Sequence, residues 1–157
     1  MRRLGSVTMA TRVPRNCTAH LMAAGVPIKD IVTIYSTTIR PVIEYAAQVY
    51  HPMMTKQQND DLERLQRSSL KIIYGPKISY REALGLTGLP SLEERRKELL
   101  KKFAVKISGD SKYNNWLPKS EQPAYSLRTH KKYREMHANP DRLYRSPLFT
   151  IRRTLNE

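Results

Sequence analysis

Apolar residues between positions 25 and 108 recur at steps of three and four. Ile28, Ile31, Val32, Tyr35, Ile39, Val42, Ile43, Ala46, Val49 and Tyr50 follow that rhythm. It places them on one face of a helix of about six turns. Pro41 lies inside the run and cannot donate to the carbonyl of Thr37, so a kink is expected there; Pro52 ends the helix. Three further helices mark their own starts. Thr55–Gln58, Ser79–Glu82 and Ser91–Glu94 each match the capping box, in which a hydroxyl accepts an orphan amide and a Glu or Gln reaches back to the cap. The second helix should bury Leu62, Leu65, Ser69, Ile72 and Ile73 and stop at Gly75-Pro76. Its outer face offers Asp60 to Arg64 and Glu63 to Arg67. The third is short, Tyr80 to Leu84. The fourth runs from Leu92 to Ile107 and should bury Leu92, Leu99, Leu100, Phe103 and Ile107. No segment alternates with period two. The pattern therefore predicts an all-α fold, a small bundle of three longer helices and one short one.

The distribution of large apolar residues sets the expected organisation. Of 35 Leu, Ile, Val and Phe, 4 fall in residues 1–24, 24 in 25–108 and 7 in 109–157. Residues 1–24 are expected to be a poorly structured basic leader and 25–108 the helical core. Residues 109–157, with four prolines and no glycine after Gly109, are expected to form an extended or partly disordered basic tail. Ordering a core of this size costs roughly 1.5 kcal/mol per residue, which burial only just offsets. Marginal stability is expected unless another surface covers the bundle.

Charge changes the picture most. The 157 residues carry 28 Lys and Arg against 14 Asp and Glu, a formal +14, with pI near 10.1. A polyanion is the default partner for such a chain. On the fourth helix, Arg95, Arg96, Lys97, Lys101, Lys102 and Lys106 follow Glu93, Glu94 and Glu98. Acids near the start and bases near the end suit the helix dipole, so a solvated face explains them. Equally, Arg95, Lys102 and Lys106 fall on one stripe that could track a phosphate backbone. The tail interleaves bases with rings at Lys112-Tyr113, Trp116, Tyr125 to Arg128, Lys131-Lys132-Tyr133-Arg134 and Tyr144-Arg145. Rings for base stacking beside charges for phosphate suit single-stranded or irregular RNA; incidental tyrosines in a basic tail are the plainer account.

Other chemistry finds no footing in the sequence. A single cysteine, Cys17, allows no internal disulfide or cysteine-based zinc site. Charges break every apolar stretch, so no membrane partner is expected. Phosphate loops, nucleophile elbows and zinc-protease motifs do not occur in the sequence, and neither a cofactor nor a small-molecule substrate is expected. His20, His51, His130 and His137 are dispersed, and His51 reads as a helix-end residue. Asp60-Asp61 is an adjacent carboxylate pair, but successive helical residues diverge by about 100° and acids early in a helix suit its dipole. Residues 1–27 carry Arg2, Arg3, Arg12 and Arg15, hydroxyl residues and no acid, which resembles the composition of a mitochondrial transit peptide, yet Pro14 interrupts any amphipathic helix there. The expectation favours a nuclear or cytoplasmic setting.

Several blocks, taken in order, resemble one family. They are Ala24-Gly25-Val26, Ile39 to Ala46 (IRPVIEYA), Tyr50-His51-Pro52, Leu62 to Arg67 (LERLQR) and Leu70 to Gly75 (LKIIYG). They continue with Ser79 to Leu84 (SYREAL), Leu89 to Arg96 (LPSLEERR), Tyr125 to Arg128 (YSLR) and Tyr144 to Pro147 (YRSP). From about residue 21 onward the chain resembles the segment that follows the palm in reverse transcriptases of non-LTR retrotransposons, LINE-type and Jockey-like elements among them. The resemblance implies a helical thumb-and-connector region that packs beside a polymerase palm and grips a template–primer duplex. It implies RNA or an RNA–DNA duplex as partner. The bases that would serve are Arg64, Arg67, Lys71, Arg95, Arg96, Lys97, Lys101, Lys102, Lys106, Arg128, Lys131, Lys132 and Arg134, together with Tyr133. The family's polymerase aspartates and its endonuclease lie in other regions, so the resemblance implies no enzymatic activity here. Residues 1–20 depart from the family's preceding helix, and no Cys/His knuckle appears in the tail. A reading frame opening at Met1 is what a 5′-truncated or decayed element would give. The alternative expectation is therefore a vestigial or structural helical protein with no selected activity.

Overall fold

Steps of three and four do become helices. The computed structural model describes residues 17–120, 131–134 and 140–156. Among these the fold is all-α, and the one strand-like feature is an isolated bridge between Lys119 and Tyr133. The helices are α1 (17–23), α2 (Ile28–Ile34), α3 (Arg40–Glu44), α4 (Ala47–Tyr50), α5 (Lys56–Tyr74), α6 (Tyr80–Thr87), α7 (Leu92–Ser108), α8 (Asp141–Tyr144) and α9 (Pro147–Asn156). All three predicted capping boxes form. Thr55 and Gln58 exchange bonds of 3.3 and 2.9 Å, Ser79 and Glu82 of 3.2 and 2.9 Å, and Ser91 and Glu94 of 3.2 and 3.1 Å. Gly75 closes α5 at φ 91° and Gly88 closes α6 at φ 66°, conformations that a side chain would resist.

The long first helix breaks into pieces. A π turn, Tyr35–Ile39, precedes Pro41 in place of a sharp kink. The widened turn absorbs the bond the proline cannot donate. The chain then extends at Tyr45 (ψ 129°) and turns left-handed at Ala46 (φ 55°) before α4. The apolar stripe is buried only in part. Ile31, Tyr35 and Ile39 are buried, while Ile28, Val42 and Val49 are exposed. A left-handed alanine is strained by roughly 1–2 kcal/mol, and glycine relieves this at some cost in unfolded-chain entropy. Ala46→Gly is expected to stabilise the protein by roughly 0.5–1 kcal/mol, read as a higher urea midpoint.

The same break divides the chain. One compact unit takes residues up to Tyr45 together with Thr55–Glu94, and a second takes Ala46–Met54 together with Arg95 onward. The first is built on Ile31, Leu70, Ile73 and Ala83, with Leu21 and Met22 packed against them. The leader expectation for 1–24 is thus corrected over its last residues: 17–23 is helical and Thr18 is buried, because α1 supplies Leu21 and Met22 to this core. Residues 1–16 lie outside the described residues.

The second unit overturns the expectation of an extended tail wherever residues after 108 are described. Its core joins Leu100, Ala104 and Ile107 of α7 to Leu117, Tyr133 and Ile151, with Tyr113, Leu148 and Leu155 packed around them. The C-terminal residues hold few apolar side chains, but these few converge. Asn156 locks the arrangement through its side-chain amide, accepting from the Tyr133 amide and donating to the Tyr133 carbonyl, both at 3.0 Å. Pro147 opens α9 where a missing N–H costs nothing.

Candidate nucleic-acid interface

The proposed basic residues divide between the two units. In the first, Arg64, Arg67 and Lys71 project from the exposed side of α5. Arg64 pairs with Asp61 at 2.9 Å, not with Asp60, and both partners are open to solvent. Such a pair contributes little and leaves the guanidinium available. Arg67 lies over the Tyr80 ring at 5.0 Å. The expected Glu63–Arg67 pair gives way because Glu63 turns inward. Its Oε1 accepts from the Tyr80 hydroxyl and from the Leu92 amide at 3.3 Å.

Behind this surface the first unit holds a polar network that the apolar rhythm did not reveal. Gln66 is wholly buried. Its Oε1 accepts from the Tyr35 hydroxyl at 3.3 Å, and its Nε2 donates to the Tyr80 hydroxyl at 3.1 Å and the Pro90 carbonyl at 3.2 Å. The Arg40 guanidinium reaches the same carbonyl at 3.0 Å and pairs with Glu44 at 2.7 Å. Burial pushes the Tyr35 phenol well above its ordinary range. Burial and then the bond to the Glu63 carboxylate do the same for Tyr80. Both stay protonated as hydrogen-bond donors, which fixes the loop before α7 against α5.

In the second unit α7 sorts its bases by side. There its buried edge runs through Arg96, Leu100, Ala104 and Ile107. Arg96 lies on that edge and is 0% exposed, so it is corrected from interface residue to interior residue. Its spacing of four from Leu92 and Leu100 carried this information. Phe103, expected inside, is 37% exposed, and Ala104 takes its place in the core. Lys97, Lys101, Lys102 and Lys106 face outward. The stripe of Arg95, Lys102 and Lys106 is interrupted by Glu98, whose carboxylate bridges Lys102 at 2.7 Å and Arg95 at 2.8 Å. Lys102 first and Arg95 second hold the Glu98 carboxyl below its usual range.

Residues 131–134 present Lys131, Lys132 and Arg134 outward. Tyr133 does not join them: it is 2% exposed and sits in the core, which corrects its assignment as a stacking residue. Lys132 lies 5.6 Å from the Tyr133 ring centroid. Arg128 falls outside the described residues. Two arginines escaped the sequence reading. Arg153 lies 4.7 Å over the Tyr144 ring. Arg152 is buried, and desolvation draws its pKa downward. Adjacent arginines near an apolar Ile151 were the available signal.

No helix among the described residues is long and apolar enough to cross a membrane. Among them, no group of three or more His, Cys, Asp or Glu side chains is placed to hold a metal ion. Comparison with known proteins finds no family model, no curated protein and no solved structure that matches this chain.

Proposed function

We propose that this chain is a non-catalytic, nucleic-acid-binding helical module of the thumb-and-connector kind that follows the palm in non-LTR retrotransposon reverse transcriptases. It holds RNA or an RNA–DNA duplex through its basic side chains, and in a parent polymerase it packs beside the palm. The observation that carries this reading is the excess of 28 bases over 14 acids, with Lys97, Lys101 and Lys106 of α7 and Lys131, Lys132 and Arg134 turned to solvent. Exposed bases in excess over acids attract a polyphosphate and release its counterions on binding.

Mobility-shift titrations of RNA and of an RNA–DNA duplex at two salt concentrations test the reading. Affinity should fall steeply as salt rises. Lys101→Gln with Lys106→Gln is expected to weaken binding to every sequence and to lower the salt slope by about 2. Binding that is absent at low salt, or insensitive to salt, rejects the proposal. The second reading, a structural or vestigial helical protein, draws support from Glu98, which neutralises part of the α7 stripe. It requires that salt-dependent binding be absent.

A further inference from the structure

Trp116 is the chain's single tryptophan, and its side chain stays 58% exposed. The local backbone holds it there. Asp110 caps the short turn Ser111–Tyr113 by accepting from the Lys112 amide at 2.9 Å. The amides of Trp116 and Leu117 both donate to the Tyr113 carbonyl, at 2.9 and 3.1 Å. Leu117 is 4% exposed and anchored in the core, so the residue before it is presented outward.

From α9, Arg152 fastens the same turn. Its Nε and Nη2 both donate to the Trp116 carbonyl, the former at 3.0 Å. Arg152 is buried and pairs with no carboxylate among the described residues, and its Nη1 finds no acceptor. Among the described residues its charge has no carboxylate partner behind the turn. The Tyr113 ring supports the indole at 5.4 Å with a tilt of 57°, and Lys112 approaches Tyr113 at 5.9 Å.

We propose that Trp116, backed by Tyr113 and positioned by Arg152, is a stacking platform for an unpaired base of single-stranded nucleic acid, with the exposed Lys112 supplying the attraction for its flanking phosphate. The inference rests on the nucleic-acid-binding reading and names one substrate class within it. An aromatic face beside positive charge matches an unpaired base, whose own face is free, and not a base already stacked inside a duplex.

A lone tryptophan makes the test direct, because its emission reports this residue alone. The full chain is titrated with an oligouridylate and with an RNA duplex of equal length, following Trp116 emission and gel retardation together. The expected result is quenching by the single strand that saturates with retardation, and retardation by the duplex with little quenching. Trp116→Ala should weaken single-strand binding roughly five- to hundredfold and leave duplex binding unchanged. Trp116→Phe, which keeps a ring and guards against a folding artefact, should retain most of the affinity. Arg152→Lys, which loosens the bonds to the Trp116 carbonyl, should reduce the quenching amplitude while duplex affinity holds. Retardation of oligouridylate with unchanged emission overturns the platform and leaves the proposed function standing. Absence of retardation by every nucleic acid overturns both.

Discussion

Replacing Arg40 with methionine is expected to destabilise the first unit by about 3–5 kcal/mol. The Arg40 and Glu44 side chains are 6% and 11% exposed and meet at 2.7 Å. Removing the guanidinium takes the Arg40 cation from a nearly buried carboxylate and one of the two donors from the Pro90 carbonyl. Desolvation then opposes folding with much of the Coulombic compensation gone. The double variant Arg40→Met with Glu44→Leu should recover most of the loss, because neither charge remains to be desolvated. Urea unfolding at neutral pH reads both effects as shifts of midpoint. A loss below about 1 kcal/mol in the single variant would place the pair among solvated surface pairs, contrary to the burial described above.

Truncating Ile151 to alanine should cost about 2–5 kcal/mol in the second unit. Ile151 is 4% exposed and shares a core with Leu100, Ala104, Ile107, Leu117 and Tyr133. The core is small, so neighbouring side chains have little scope to close the cavity. Removing Pro147–Asn156 altogether should be more severe, since Leu148, Ile151 and Leu155 leave together with the Asn156 clamp on Tyr133. Amide hydrogen exchange is the measurement. Amides of Leu100–Ile107 should lose protection in the truncated chain. Protection equal to that of the intact protein would mean that α9 contributes nothing to this core.

Helix positions were legible because they depend on neighbours in sequence. The three capping boxes, the stop at Gly75 and the span of α5 and α7 follow from bonds between residues three or four apart. Capping and apolar period are local devices, and nothing distant was needed to read them. The Tyr45–Ala46 break was less legible. Ala46 carries no glycine-like mark, yet it adopts φ 55°. Its conformation follows from how the flanking segments are held and not from its own preference.

The candidate interface was read in part. Lys97, Lys101, Lys102, Lys106, Lys131, Lys132 and Arg134 are outward-facing bases, as their chemistry suggested. Arg96 and Tyr133 were misread for one reason: side-chain type is a poor guide to burial for residues with a long apolar stem or ring. Arg96 follows the buried edge of α7, and Tyr133 is pinned by Asn156 from 23 residues away. Trp116 was visible as an aromatic beside charge, but its support by Arg152 across 36 residues was not.

By itself the sequence determined the all-α class, the starts and stops of the main helices and the excess positive charge. Each is a sum over local bonds or over composition. The tertiary structure alone decided that the chain forms two units, that the C-terminal residues build half of the second core, and which bases face solvent. Those outcomes depend on contacts between residues far apart in the chain, where a few well-placed apolar side chains outweigh the average character of the segment that carries them.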